Sequence, residues 1–215
     1  MSLILGNISK TIQKKTIIQN IDYCFESGKI YGLKGKNGCG KTMLLRIIAG
    51  LVRPTSGKVI INDKELHKDI EFPPSIGVLI ENPAFYDNLT GYKNLEMIYE
   101  YSKKDDSGKK EIIRLMEEFN LKPEDKIKYK KYSLGMKQKI GIICAIMEHP
   151  DIIILDEPIN ALDEDSVEIF FKLIHEEKER GAIIIVTMHD SESLLANSDS
   201  IILIENNTIT RGKNE

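Results

Sequence analysis

The chain has no tryptophan, an aromatic content of 7% and only three cysteines in 215 residues. Cys24, Cys39 and Cys144 show neither metal-ligand spacing nor the paired framework of a small secreted domain. That pattern suits a reducing compartment such as the cytosol. A strong charge of one sign is also missing. Thirty Lys and Arg against 33 Asp and Glu leave a net charge of −3, which argues against a nucleic-acid binder driven by phosphate neutralisation. Long hydrophobic runs are absent too. Ile140 to Met147 and Ala182 to Met188 are the longest, and a spanning helix needs about 20 apolar residues. Residues 1–10 have no basic start followed by a long apolar core, so no secretory leader is expected. No internal repeat is visible. A path across a membrane would have to come from another polypeptide.

What the chain does have is phosphate-binding chemistry. Gly35-Lys36-Asn37-Gly38-Cys39-Gly40-Lys41-Thr42 fits the pattern G-x-x-x-x-G-K-S/T. An apolar run, Lys29 to Leu33, leads in, and a helix-like run, Met43 to Ala49, leads out. Between strand and helix, backbone N–H groups can turn inward around phosphate oxygens, and the glycines permit the approach. Lys41 is expected at the β/γ-phosphates and the Thr42 hydroxyl at Mg²⁺. A nucleoside triphosphate is the expected ligand.

Far downstream, Asp151 to Glu157 is an apolar run that ends in two carboxylates. It reads as a strand buried on both faces of a parallel sheet, whose C-terminal end is where such sheets place ligands. Asp156 could hold Mg²⁺ and Glu157 could face an attacking water. A third segment, Tyr132-Ser133-Leu134-Gly135-Met136-Lys137-Gln138, opens a helix for which Ser133 is a candidate N-cap.

Taken in order, these segments resemble the ATP-binding subunits of ABC transporters over nearly the whole chain. Thr42, Glu81, Ser133, Asp156 and His189 match the family's phosphate loop, Q-loop, signature, Walker B and switch histidine, and Asn160 to Asp163 match its D-loop. The resemblance implies an α/β P-loop NTPase, with a RecA-like core, an antiparallel β layer and an inserted α-helical subdomain. It implies a single ABC ATPase domain over 1–215: a core at about 1–87 and 149–215, and a helical signature subdomain at about 88–148. It further implies that ATP binds between two subunits, the signature of one capping the γ-phosphate held by the other.

Sequence pattern supplies the elements. Strands are expected at Leu3–Ile8, Ile17–Phe25, Lys58–Ile61, Ser75–Ile80, Ala182–Thr187, Ser200–Ile204 and Thr208–Thr210. Helical spacing fills Asn88 to Glu148 and Asp163 to Lys178, with Lys103 to Gly108 as an exposed loop. The basic stretch Lys126 to Lys131 reads as a solvated face. Tyr86, Tyr92, Tyr99 and Tyr101 are candidates either for packing or for a docking groove.

Departures from the family's commonest pattern carry information. Glu81 stands where the family usually has glutamine, and with the following Asn-Pro-Ala-Phe-Tyr it resembles the E-loop ATPases of lantibiotic self-protection and bacitracin-resistance exporters. An ionised carboxylate there is favourable near Mg²⁺ and repulsive beside Glu157. Ile12 aligns with the aromatic residue that stacks on adenine, and Met43 with a hydroxyl that contacts the α-phosphate. Leu134 and Met136 replace a glycine and a glutamine of the signature.

These residues imply an ATPase at a two-subunit interface, expected as a homodimer, that drives a separate integral membrane permease from the cytoplasmic face. Lys41, Glu157 and His189 are the expected catalytic group. Gly35 to Met43 and Ile12 form the expected ATP site. Thr42, Glu81 and Asp156 are the expected metal ligands. Ser133, Gly135 and Met136 act in trans, and Asn160 and Asp163 belong to the D-loop. Export of a peptide antibiotic is the leading expectation. A generic exporter ATPase, a cytosolic ABC ATPase without a transport role and an ATP clamp with little turnover remain as alternatives.

Overall fold

Alternating apolar runs become strands and runs of helical period become helices. The computed structural model describes residues 1–81, 84–102, 107–188 and 191–211. It opens with β1 (Ser2–Ile12), β2 (Lys15–Glu26), β3 (Lys29–Lys34) and α1 (Lys41–Ile48). Next come β4 (Ser56–Ile61), β5 (Lys64–Glu65), β6 (Ile76–Leu79), α2 (Gly91–Ser102), α3 (Ser107–Glu118) and α4 (Leu134–Ile146). The chain continues with β7 (Ile152–Asp156), α5 (Glu164–Glu179), β8 (Ile183–Thr187), α6 (Ser191–Asn197), β9 (Ser200–Glu205) and β10 (Thr208–Arg211).

One six-stranded sheet, in the order β10-β9-β3-β8-β7-β6, forms the middle of the molecule. Its neighbours are parallel except for the β10–β9 pair. A second, four-stranded antiparallel sheet has the order β2-β1-β4-β5. The expected α/β layering with an antiparallel β layer is present, and α2 to α4 come between β6 and β7.

The central strands are buried on both faces, which is why they lack the polar alternation of half-exposed strands. Ile152, Ile154, Ile183 and Ile185 point into a core shared with Leu44, Leu45 and Ile48 of α1 and Leu5 and Ile8 of β1. Their neighbours Ile153, Leu155, Ile184 and Val186 point the other way, into a core with Ile143 of α4 and Phe170 and Ile174 of α5. Tyr31 sits in the first of these cores with its ring edge-on to Phe25 and Tyr23.

Contact between α4 and β6 is closer than a side-chain layer allows. A Cβ on Gly77 would overlap the Ala145 carbonyl oxygen, so helix backbone rests on strand backbone at that point.

Three local outcomes differ from the sequence expectation. First, β1 and β2 extend to Ile12 and Lys15 and close on a two-residue turn, Gln13-Lys14, both at positive φ (48° and 66°). This turn is made without glycine, so composition did not reveal it. Second, α3 starts at Ser107, inside the expected loop; Lys103 to Asp106 lie outside the described residues. Gly108 is tucked against the ring of Tyr99, which lets the start of α3 close onto α2. Third, the stretch from Asn120 to Tyr132 is not helical apart from a single 3-10 turn, Tyr129–Lys131. Tyr129 anchors it, buried against Phe85 and Tyr132.

Candidate functional site

The site assembles at the C-terminal ends of β3 and β7. After β3 the chain wraps from Gly35 to Gly40 and enters α1 at Lys41. Gly40 has φ 107°, and a Cβ there would lie 2.5 Å from Ile18 Cγ2, so only glycine fits. Lys41 is 7% exposed, and its ammonium donates to the Gly35 carbonyl at 2.8 Å and more weakly to that of Lys36 at 3.4 Å. Cys39 N–H also donates to the Lys36 carbonyl, at 3.2 Å. The loop is thus closed around the side chain that the sequence assigns to phosphate.

Thr42, one residue into α1, donates its hydroxyl to Asp156 Oδ2 at 2.7 Å, joining the phosphate loop to the end of β7. The other Asp156 oxygen accepts from Thr187 Oγ1 at 2.5 Å. Thr187 in turn accepts the Glu157 amide on its hydroxyl at 2.9 Å and on its carbonyl at 3.1 Å. Glu157 leaves the strand at φ 51°, and its carboxylate accepts from Asn160 Nδ2 at 2.6 Å. A cleft of about 470 Å³ opens here, lined by Asn37, Gly38, Lys41, Thr42, Met43 and Glu157, together with Ile17.

The signature segment does not line this cleft. Ser133 caps α4, its hydroxyl accepting from Met136 N at 3.2 Å, and the helix N-terminus it caps lies at the surface with Leu134 64% exposed. Gly135 packs within its own chain: a Cβ there would be 2.7 Å from the Ala161 carbonyl oxygen. Gln138 on the same helix donates to the Pro158 carbonyl at 2.8 Å. Asp163 caps α5, accepting from the Ser166 amide at 2.9 Å. The Ser166 hydroxyl, with that amide, holds the Asp163 carboxyl below the ordinary carboxylate range. The loop from Glu157 to Asp163 is therefore pinned to both α4 and α5.

The family model for ABC transporters matches residues 18–160. The chain belongs to the ABC transporter family, as an ATP-binding subunit. YybJ, an ABC transporter ATP-binding protein of Bacillus subtilis, is 43% identical over 193 residues, 90% of this chain and 88% of that protein. The lantibiotic transport ATP-binding protein SrtF of Streptococcus pyogenes is 35% identical over 86% of this chain and 79% of its own length. The bacitracin transport ATP-binding protein BcrA of Enterococcus faecalis is 37% identical over 85% of this chain, which spans only 59% of BcrA. Among solved structures, the ATP-binding subunit of an ABC transporter superposes with a TM-score of 0.91 at 24% identity, covering all of this chain and 90% of the other. A dimeric bacterial ABC transporter cassette superposes at 0.85 and 23% identity, covering 97% of each. At those identities the likeness is one of fold, that of the P-loop NTPases.

In this ABC ATPase the remaining expected residues fall in different places. Glu81 follows β6 at φ 58°, and its carboxylate pairs with the Arg46 guanidinium of α1 at 2.7 Å. Ile12 sits at the tip of the β1–β2 hairpin, 42% exposed, and is not among the residues lining the phosphate-loop cleft; Ile17 lines it instead. The β1–β2 pairing carries register shifts, and no periodicity count could foresee them. Asn82, Pro83 and His189 lie outside the described residues. Of the tyrosines, Tyr99 is buried in the helical core, whereas Tyr86 is 64% and Tyr101 96% exposed.

Thr187, Gln138 and Arg46 escaped the sequence reading. Thr187 carried a signal, as the single hydroxyl ending an otherwise apolar buried run, Ile183 to Val186. Gln138 and Arg46 each sit on an ordinary helix and carried none.

Proposed function

We propose that this ABC ATPase binds MgATP in the cleft above its phosphate loop and hydrolyses it with Glu157 as general base. The observation that carries this reading is the relay Thr42–Asp156–Thr187–Glu157, which ties the phosphate loop to the two carboxylates at the end of β7. The α1 N-terminus turns amides toward the cleft, and Lys41 is poised to exchange the Gly35 carbonyl for phosphate oxygens. Thr42 and Asp156 supply the hard oxygen donors Mg²⁺ prefers, a set that needs only one or two protein ligands beside phosphate and water. When bound, the metal would offset charge on the phosphates. Glu157 would accept the proton of the attacking water, held at its present angle by Asn160. His189 is the proposed partner of the γ-phosphate, and Glu81 a proposed neighbour of the metal.

The cleft is open to solvent, and Ser133 and Gly135 are not among the residues that line it. A second copy presenting its α4 N-terminus would complete it, so ATP is read as bound between two subunits. Among the described residues no helix is long and apolar enough to cross a membrane. A separate permease, with this subunit docked at the cytoplasmic face, is the assembly proposed. Similarity to SrtF and BcrA, with Glu81 in place of glutamine, favours export of a peptide antibiotic or a similar amphipathic compound.

Phosphate-release assays on purified protein test the chemistry. Glu157→Gln keeps shape and an acceptor oxygen but removes the base, so turnover should fall roughly 10²- to 10⁴-fold while ATP still binds. Turnover within a factor of two or so of wild type would remove Glu157 from that role.

A further inference from the structure

Two glutamates leave adjacent parallel strands with the same backbone turn. β6 and β7 run in register, Leu79 opposite Leu155, and Glu81 and Glu157 follow two residues later on each strand. Both adopt the left-handed region, φ 58° and 51°, which residues with a side chain occupy sparingly. Each carboxylate is held by a different element. Asn160 donates to Glu157 at 2.6 Å, and Arg46 pairs with Glu81 at 2.7 Å. Arg46 follows Thr42 by four residues on α1, so the two share a helix face. That single face reaches two neighbouring strand ends, Thr42 to Asp156 and Arg46 to Glu81.

Asp156, Glu157 and Glu81 thus place three carboxylates at or just past the ends of two adjacent strands, one of which Thr42 of the phosphate loop joins. Like charges so placed disfavour one another unless a cation offsets them. Arg46 is such a cation, two-thirds covered and close enough for a direct pair. We infer that Arg46 is a positioning residue for Glu81, holding that carboxylate on α1 and back from the metal, so that the ion pair sets how much Mg²⁺ the site requires. The inference rests on the reading that MgATP occupies this cleft. It assigns to the phosphate-loop helix a second task besides anion binding: control of the residue that opens the segment toward α2.

Binding of a fluorescent ATP analogue to the full chain, titrated with Mg²⁺, tests this without relying on turnover. Arg46→Gln frees Glu81 toward the metal and should lower the half-saturating Mg²⁺ concentration roughly two- to fivefold, the range for a partly exposed pair. Arg46→Lys keeps the charge without the planar fork and should fall between that variant and wild type. In a Glu81→Gln background Arg46→Gln should bring no further change, because its effect passes through Glu81. Equal shifts in both backgrounds would reduce Arg46 to a general charge and overturn the inference, as would no shift in either. Thermal unfolding checks that each variant is folded; if Arg46→Gln is not, Arg46→Lys in the two backgrounds makes the same comparison. Thr42→Ala should raise the Mg²⁺ requirement in every background. If it does not, or if wild-type binding ignores Mg²⁺, the MgATP reading fails and this inference with it.

Discussion

At the scale of single residues, the molecule separates side chains that face the cleft from those that resemble them in sequence alone. The cysteines show this. Cys24 is exposed, Cys39 is half-buried inside the phosphate loop, and Cys144 is half-buried against the helical core, with burial pushing its thiol up to about 11. Thiolate is the species that reacts with maleimide, so Cys144 should label slowest. Cys39 and Cys24 should both label, but MgATP should protect Cys39 alone, and modification of Cys39 should abolish ATP hydrolysis. Mass spectrometry of labelled peptides with and without MgATP checks this. Unprotected Cys39 would mean that nucleotide does not cover the loop.

The phosphate loop was legible because its chemistry is contiguous: eight successive residues carry the amides, the glycines and Lys41. The Asp156-Glu157 pair was legible for a similar reason, since an apolar strand ending in acids has few other uses. What sequence could not show were jobs shared between distant elements. Arg46 with Glu81, Gln138 with Pro158 and Thr187 with Asp156 meet only when strands and helices are placed. Ile12 and Ile17 lie on the two strands of one hairpin, and only the folded structure shows that Ile17 is the one at the cleft.

At the scale of elements, helix ends are tied down by charge as well as by packing. Asp199, between α6 and β9, accepts from the Ile30 amide of β3 at 2.8 Å and from Lys178 of α5 at 2.6 Å. Burial opposes its ionisation, but the amide and the ammonium outweigh that and hold the carboxyl below its usual 3.8. A depressed folded-state pKa gives stability that is fully present above the unfolded value and is lost as pH falls through the folded one. Asp199→Asn should therefore cost about 1 kcal/mol at neutral pH, after allowing for partial exposure of the pair. The cost should shrink as the pH drops below 3.8. Urea unfolding of both proteins at neutral pH and near pH 3 measures it. A difference that does not shrink in acid would assign the effect to shape rather than charge.

The expected loop at Lys103 to Gly108 was too long at its end: Ser107 and Gly108 belong to α3, while Lys103 to Asp106 lie outside the described residues. Polar composition and a glycine looked like a turn, yet Gly108 was needed for its lack of bulk beneath Tyr99. Glycine as a spacer and glycine as a hinge look alike in sequence. Only the neighbour tells them apart.

At the scale of the whole molecule, the proposed assembly takes two half-sites from each chain: the cleft over Lys41 and the capped end of α4, which does not line that cleft. Removing the Glu157 charge eases repulsion at the γ-phosphate while hydrolysis is blocked. With ATP, Glu157→Gln should therefore elute in gel filtration at about twice its 24.4 kDa, and without nucleotide as a monomer. Substituting Ser133 by alanine in the same background should weaken that shift. A mutant that stays monomeric at saturating ATP would leave the second half-site without a partner.

The backbone contact between Gly77 and Ala145 bears on how force travels through this body. Where side chains separate two elements, rotamer changes can absorb a small displacement before it is passed on; where main chain rests on main chain there is nothing to yield. Ser133 caps α4, whose far half is seated on β6, and β6 ends at Leu79. A shift of α4 at Ala145 therefore has no intervening side chain to absorb it before it reaches β6, the strand that ends two residues short of Glu81.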